Sequence, residues 1–541
     1  VADLKAYLQE HTNPPVFFVS LVLILALVGW GVTAPAHLGS VAEAVKAWIT
    51  TYFGWWYLAA VFGFLVFAII LMFSPYGRIR IGKSDERPQW STWAWFSMLF
   101  TAGMGIGLVF FGVAEPVFHF QGLPTAPEGT EEAAVQAMHM TIFHWGLHPW
   151  AIYIVLGLSM GYFCFRYDLP MRPASAFYPL IGRAIYGWVG HLIDILAVFG
   201  TLFGLATSLG LGATQINAGL HAVFGMPVGA AWQVGIIAVI TAVAVTSLMM
   251  GLDKGIRRLS VFNMYTAILL AVAVFLAGPT LFILDYMVQT TGYYLEHLPG
   301  TSLRVFAFSE EGHQWISDWT LFYWGWWIAW SPFVGMFIAR VSRGRTIRQF
   351  ILGTLLAPVG ASIAWFCTFG GTAIYQILEN GNEALANAGK TDALFLLLDT
   401  LPLGEAGAVA LSLVAVLVVA IFFATSSDSG SFVVDMLTNG GDPNPIWQQR
   451  MFWAITEGVV AAVLLVAGAM HVAGNPLSAL QTASVLSGLP FSVVLALMCW
   501  GLVRQLRHEH LPDAPLAGPL RLRKSYLNPG QQDQPQDRRS S

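Results

Sequence analysis

Twelve stretches of mostly apolar residues, each long enough to cross a bilayer, follow one another along this chain. They lie near 16–35, 54–74, 93–116, 134–164, 186–223, 231–250, 259–295, 319–340, 346–378, 405–437, 450–471 and 477–503. A helix that crosses a bilayer needs about 20 apolar residues, and in hydrocarbon it must satisfy its backbone internally. Only 10% of the 541 residues are charged, where a soluble domain carries roughly 25%. Such a chain cannot cover a globule with polar surface, so the expected fold class is an all-α polytopic membrane protein. Disordered, collagen-like and nucleic-acid-binding classes are excluded on the same ground. The polar lead-in VADLKAYLQEHTNPP lacks the basic segment and small-residue cleavage site of a signal peptide, so the first run reads as a span.

The few charges carry the orientation. With the N-terminus cytoplasmic, the inner linkers hold Arg78, Arg80, Lys83, Arg87, Arg166, Arg172, Arg183, Lys254, Arg257, Arg258, Arg340, Arg343, Arg345, Arg348 and Arg450. The outer linkers hold Lys46, Arg304 and Lys390. Cytoplasmic loops retain basic residues, so this asymmetry places both termini in the cytoplasm and favours an even number of spans. Residues 504–541 are Pro/Gln-rich and polar and read as a flexible cytoplasmic tail. Cys164, Cys367 and Cys499 lie far apart in apolar runs, odd in number, and signal neither a disulfide framework nor a zinc site.

Two spans read as interrupted. The third contains FTAGMGIGLVFFGVAEP, where Gly103, Gly105 and Gly107 alternate, and glycine costs roughly 1 kcal/mol against alanine in a helix. The eighth contains WTLFYWGWWIAWSPFVGMF, where Pro332 removes a backbone donor and Gly335 follows. Small residues also serve plain helix packing in membranes. Breaks five helices apart nevertheless suggest a binding site between two inverted repeats, spans 3–7 and 8–12. The corresponding division is 1–92 (N-terminal segment and two peripheral spans), 93–295, 296–503 and the tail.

Tryptophan is abundant, with 21 copies. Trp55, Trp56, Trp90, Trp93 and Trp95 flank span ends, as interfacial belts do. Trp145, Trp150 and Tyr153, around a Pro149 expected to kink span 4, and Trp326, Trp327 and Trp330 in mid-span 8 are not at span ends. Ring faces around one small cavity suit a quaternary ammonium, which has no N–H to hydrogen-bond and is attracted at about 0.5–2 kcal/mol per ring.

The segments AGMGIGLVFFGVAEP, WGLHPWAIY, WTLFYWGWWIAWSPFVGMFIARVSRGRTIRQF and FFATSSDSG resemble the signatures of the betaine–choline–carnitine transporters, over nearly the whole chain to about residue 503. The resemblance implies twelve spans with a LeuT-like core of two inverted five-helix repeats. It also implies a homotrimer, with a cytoplasmic amphipathic helix near SRGR at the trimer contact. Trp145, Trp150, Tyr153 and Trp327 match the family's aromatic box, and Trp326 and Trp330 match tryptophans that hold substrate in inward-facing states. Ala102, Gly103 and Met104 match backbone lining the substrate and ion cavity, and Phe337 matches an aromatic on the cytoplasmic exit path.

The resemblance further implies a sodium site at Thr101, Met104, Phe422, Thr425 and Ser426, oxygen ligands of the kind a hard cation wants. The competing reading has Thr425 and Ser426 bonding back to their own helix. A second ion site in some members is matched by Thr201 and Phe333, but Leu205 stands where its other threonine would be. A proton is the alternative coupling ion, and no organic cofactor is expected. Asp428 is read either as a functional carboxylate or as a backbone anchor, Glu115 as a turn cap, and His139, His144 and His148 as packing or hydrogen-bonding residues.

Gly107 matches members that carry zwitterionic betaines, whereas LFGLATSLG in span 5 resembles the choline branch; glycine betaine is placed slightly ahead of choline. The expected protein is thus a secondary transporter of the cell (inner) membrane. A channel would need filter repeats or charge rings, which are absent. An enzyme would need a metal pair, a nucleophile elbow or a P-loop, also absent.

Overall fold

A computed structural model describes residues 11–103, 105–249, 253–444, 446–471 and 476–509, without the side chains of 100–103 and 253–257. Among the described residues there are helices and no strand; one isolated bridge joins Arg80 to Thr346. The main helices are α1 (Pro14–Thr33), α2 (Pro35–Phe73), α3 (Thr92–Gly103), α4 (Ile106–Gly122), α5 (Glu131–Trp145), α6 (Leu147–Gly161), α7 (Trp188–Phe224) and α8 (Ala230–Met249). They continue as α9 (Asp253–Ala277), α10 (Thr280–Ser302), α11 (Glu310–Asp318), α12 (Thr320–Val341), α13 (Ile347–Asn380), α14 (Gly404–Thr438), α15 (Trp447–His471) and α16 (Ser478–Glu509).

Among the described residues, ten segments are long and apolar enough to cross a membrane. Two expected spans fall outside those ten for local reasons. The third is divided into α3 and α4, and the eighth, α12, is rich in Trp and Tyr, which lowers its hydropathy. The run expected as one span over 259–295 bends at Gly278–Pro279 into α9 and α10.

Burial separates an inner set of helices from an outer one. The apolar window of 131–166 is 94% buried, whereas that of 258–277 is 22% buried and that of α1 is 28% buried. Exposed Val22, Leu25, Val239, Leu269 and Leu276 on the outer helices are what a lipid-facing surface requires. Helix α12 lies at the centre, packed on α6, α7 and α16, while α14 packs most extensively on α7. Gly200 and Gly204 of α7 allow this approach: a Cβ at Gly204 would stand 3.2 Å from the Trp330 backbone nitrogen.

The breaks are not where proline suggested. Helix α12 runs through Pro332 without interruption. Proline deprives the carbonyl four residues back of its donor, here that of Ile328, and the Ser331 hydroxyl donates to that carbonyl at 2.7 Å. The interrupted spans are the third, where Gly105 is extended, and the fourth, which breaks at Gly146 rather than kinking at Pro149. The amide of Leu147 freed by this break donates to the Tyr294 hydroxyl at 3.0 Å.

At one end of the bundle the basic linkers interlock. Ile81 donates to the Arg345 carbonyl and Ile347 to that of Ile79, both at 2.8 Å. Lys83 pairs with Asp168 at 2.7 Å, Arg166 with Glu509 at 2.5 Å, and Arg343 with Glu86. Arg345 lies 4.4 Å from the Trp95 ring centroid. Helix α16 continues to Glu509, so the first residues of the expected tail are helical and anchored; residues 510–541 lie outside the described residues. No separate amphipathic helix follows SRGR: Thr346 and Gln349 form a capping box that starts α13 directly, and α13 is continuous over 34 residues.

Candidate functional site

Trp145, Trp150, Tyr153, Trp326, Trp327 and Trp330 line one cavity, together with Gly105, Gly107, Leu108, Pro149, Val334 and Ser362. The break at Gly146 makes this possible. Five residues of continuous helix would turn Trp150 about 140° away from Trp145; with the chain re-aimed at Gly146, both face the same space.

The rings meet as perpendicular walls. Trp145 and Trp327 are 4.9 Å apart at 75°, Trp150 and Tyr153 5.3 Å at 81°, and Tyr153 and Trp327 6.4 Å at 79°. Trp326 stacks on Trp327 at 4.5 Å and 14°, and Trp330 extends the stack to Phe333. Gly107 permits the closure, because a Cβ there would lie 2.6 Å from Cη2 of Trp326 and 2.8 Å from Cη2 of Trp145.

Hydrogen bonds hold three of the six rings. Trp327 Nε1 donates to the His144 carbonyl at 2.9 Å, and Trp326 Nε1 to that of Gly204 at 3.2 Å. Trp145 Nε1 donates to Glu115 Oε2 at 2.7 Å. Two groups in the cavity wall have no protein partner, Trp330 Nε1 and the Tyr153 hydroxyl. The cavity therefore offers π faces for a diffuse cation, and two residues of its wall each carry an unused donor.

Glu115 does more than the turn cap expected of it. It is fully buried, and its two oxygens receive Trp145 Nε1, the Tyr323 hydroxyl, His144 Nδ1 at 2.7 Å and His119 Nε2 at 3.1 Å. His144 Nε2 meets Thr320 Oγ1 at 2.9 Å. Glu115, His119 and His144 have the composition of a metal site, but these ligand atoms are already bonded to one another or to neighbouring side chains. His139 bonds Thr301 and His148 bonds Ser302, as hydrogen-bonding histidines. The sequence sign of Glu115's position was a carboxylate inside an apolar run.

Of the expected ion-site residues, Phe422, Thr425 and Ser426 lie on α14, where the Thr425 hydroxyl donates to the carbonyls of Ile421 at 2.9 Å and Phe422 at 3.2 Å. Met104 and the side chains of Thr101 and Ala102 lie outside the described residues. Thr201 is buried with its hydroxyl unbonded. Leu205 presses toward Gly430, filling its position with hydrocarbon. Phe337 is 41% exposed and lies outside the cavity lining. Asp428 is paired with Arg450 at 2.8 Å.

A central buried bundle with an aromatic-walled cavity among outward-facing apolar helices defines a multi-pass membrane protein. The family model for BCCT, the betaine/carnitine/choline family transporters, matches residues 15–511. An uncharacterized transporter of Mycobacterium tuberculosis (strain ATCC 25618 / H37Rv) is 46% identical over 521 residues, 94% of this chain and 86% of that protein. A glycine betaine transporter of Bacillus subtilis (strain 168) is 42% identical over 495 residues, 91% and 94% of the two chains. A glycine betaine/proline/choline transporter of Vibrio parahaemolyticus is 42% identical over 511 residues, 91% and 90%. The chain belongs to the betaine/carnitine/choline transporter family.

Proposed function

We propose that this protein imports a quaternary-ammonium compatible solute, glycine betaine ahead of choline, by alternating access coupled to sodium. The observation that carries the reading is the six-ring cavity with Trp330 Nε1 and the Tyr153 hydroxyl unpaired. Trimethylammonium would sit against the Trp145, Trp150, Tyr153 and Trp327 faces, and a carboxylate would accept from the two free donors. Gly107, with no side chain in the cavity, supports a zwitterion, which brings its own counter-charge. The relatives named for glycine betaine agree with this substrate class.

In this reading twelve spans cross the cell inner membrane with both termini cytoplasmic, spans 3–7 and 8–12 form inverted repeats, and the protein works as a homotrimer. Sodium would be held by Thr101, Met104, Phe422, Thr425 and Ser426; Thr201 and Phe333, with Leu205 beside them, make an incomplete second site. Phe337 would stand on the cytoplasmic exit. One sodium ion gains about 2.3 kcal/mol per 100 mV and about 1.4 kcal/mol per tenfold gradient, enough for accumulation on the order of 10²- to 10³-fold.

The second reading is proton-coupled choline uptake, favoured by the choline-like LFGLATSLG segment. Uptake of labelled glycine betaine and of choline into proteoliposomes, with sodium and proton gradients imposed separately, tests both. Betaine accumulation driven by sodium alone is expected. Accumulation of choline driven only by protons would replace the first reading with the second, and flux that never exceeds equilibration would indicate a channel.

A further inference from the structure

Outside the aromatic cavity, a buried seam between α14 and α15 gathers three carboxyl groups and one guanidinium. Arg450 Nη2 donates to Asp428 Oδ1 at 2.8 Å, which balances one carboxylate. Asp435 and Glu457 are both fully buried, and neither oxygen of either side chain has a hydrogen-bond partner. Glu457 lies within the apolar helix α15, one of the segments long enough to span a membrane. An unpaired carboxylate in such surroundings is strongly disfavoured, and the group takes a proton instead.

A carboxyl that merely filled space would need nothing around it. Glu457 has the buried hydroxyl of Ser427 on α14 close by, placed to donate to its carboxyl. One O–H donor borders the site, so it can accommodate the neutral acid or, with that donor turned inward, the carboxylate. The charge that bears on Glu457 is that of Asp428 on α14. Among the described residues, α1, α2, α7, α8 and α16, which also pack on α15, bring no charge that acts on it.

We propose that Glu457 is a proton-binding site of the transport cycle, neutral in the conformation described and deprotonated when α14 shifts against α15. The cycle is that of the proposed function, on which the inference rests. The proton comes from and returns to water, and no other bond changes.

The test uses the full-length protein, wild type and Glu457→Gln. In proteoliposomes with equal pH on both sides, wild-type uptake of glycine betaine is expected to fall as pH rises. Glu457→Gln, fixed in the neutral form, is expected to lose that fall while still binding betaine. The same pH profile in both proteins would overturn the proposal. Infrared difference spectroscopy needs neither uptake nor a fully active variant. A protonated-carboxyl band in the wild type that responds to pH and to betaine or sodium, and is missing in Glu457→Gln, supports the site. A band that responds to none of these would make Glu457 a permanently neutral packing group. If the wild type takes up no betaine, the functional reading fails, while the response of this band to pH and sodium still decides for or against the proton site.

Discussion

Gly107→Ala is the sharpest perturbation of the cavity. The added Cβ would stand 2.6 Å from Trp326 Cη2 and 2.8 Å from Trp145 Cη2. Carbon atoms rest at about 3.5–4.0 Å, so each ring must retreat by about 1 Å. Neither is free to do so: Trp145 is tied to Glu115 at 2.7 Å and Trp326 to the Gly204 carbonyl at 3.2 Å. Overpacking of this kind costs about 1–3 kcal/mol. Taken from binding, that is a loss of about 5- to 150-fold in affinity for glycine betaine. Gly105→Ala is the internal control, since its Cβ would meet nothing nearer than Trp330 Cη2 at 3.9 Å. Scintillation-proximity binding of labelled betaine to the purified variants measures both. Unchanged affinity in Gly107→Ala, or equal losses in the two variants, would refute the contact-based reasoning.

Three further outcomes are expected. Tyr153→Phe removes a hydroxyl with no protein partner, so its melting temperature should match wild type while betaine affinity falls by about 0.5–1.5 kcal/mol; equal affinity would remove this hydroxyl from substrate binding. Arg172→Ala leaves buried Asp194, paired at 3.0 Å, without its cation, and thermal unfolding should show a loss of about 3–5 kcal/mol. Lys390, in the linker before α14, lies 4.2 Å from the Trp319 ring centroid, and burial pushes its pKa down to about 8. The unfolded chain then holds this proton up to the ordinary lysine range, so the lysine's contribution to stability should rise with pH from about 8 to 10. Melting curves of wild type and Lys390→Met should converge over that interval, and a gap that widens in the variant's favour would contradict the assignment.

Much of this architecture could be read from residue order, because hydrocarbon leaves a spanning chain few options. Helix positions followed the apolar runs, and the six aromatic residues of spans 4 and 8 do converge on one cavity. The breaks were harder to see, since proline and glycine state only what a helix loses. Whether Pro332 interrupts α12 depends on Ser331 supplying the missing donor, and whether Gly146 does depends on Tyr294, more than 140 residues away, receiving the freed amide. Glu115 shows the same limit from the side-chain end. Its partners lie 4, 29, 30 and 208 residues distant, so its hold on the Trp145 ring exists only in the folded bundle. Thr425 could bond its own helix or an ion by residue type alone, and only the folded chain shows its hydroxyl donating to the Ile421 carbonyl at 2.9 Å.

The central claim is that ring faces, not merely apolar volume, hold the cationic end of the substrate. Equilibrium binding of labelled glycine betaine to wild type, Trp327→Phe and Trp327→Leu tests it most directly. Both variants lose the hydrogen bond from Nε1 to the His144 carbonyl, so the difference between them isolates the π face. A ring is worth about 0.5–2 kcal/mol to a cation, so the Leu variant should bind about 2- to 30-fold more weakly than the Phe variant. Equal binding by the Phe and Leu variants would contradict the account.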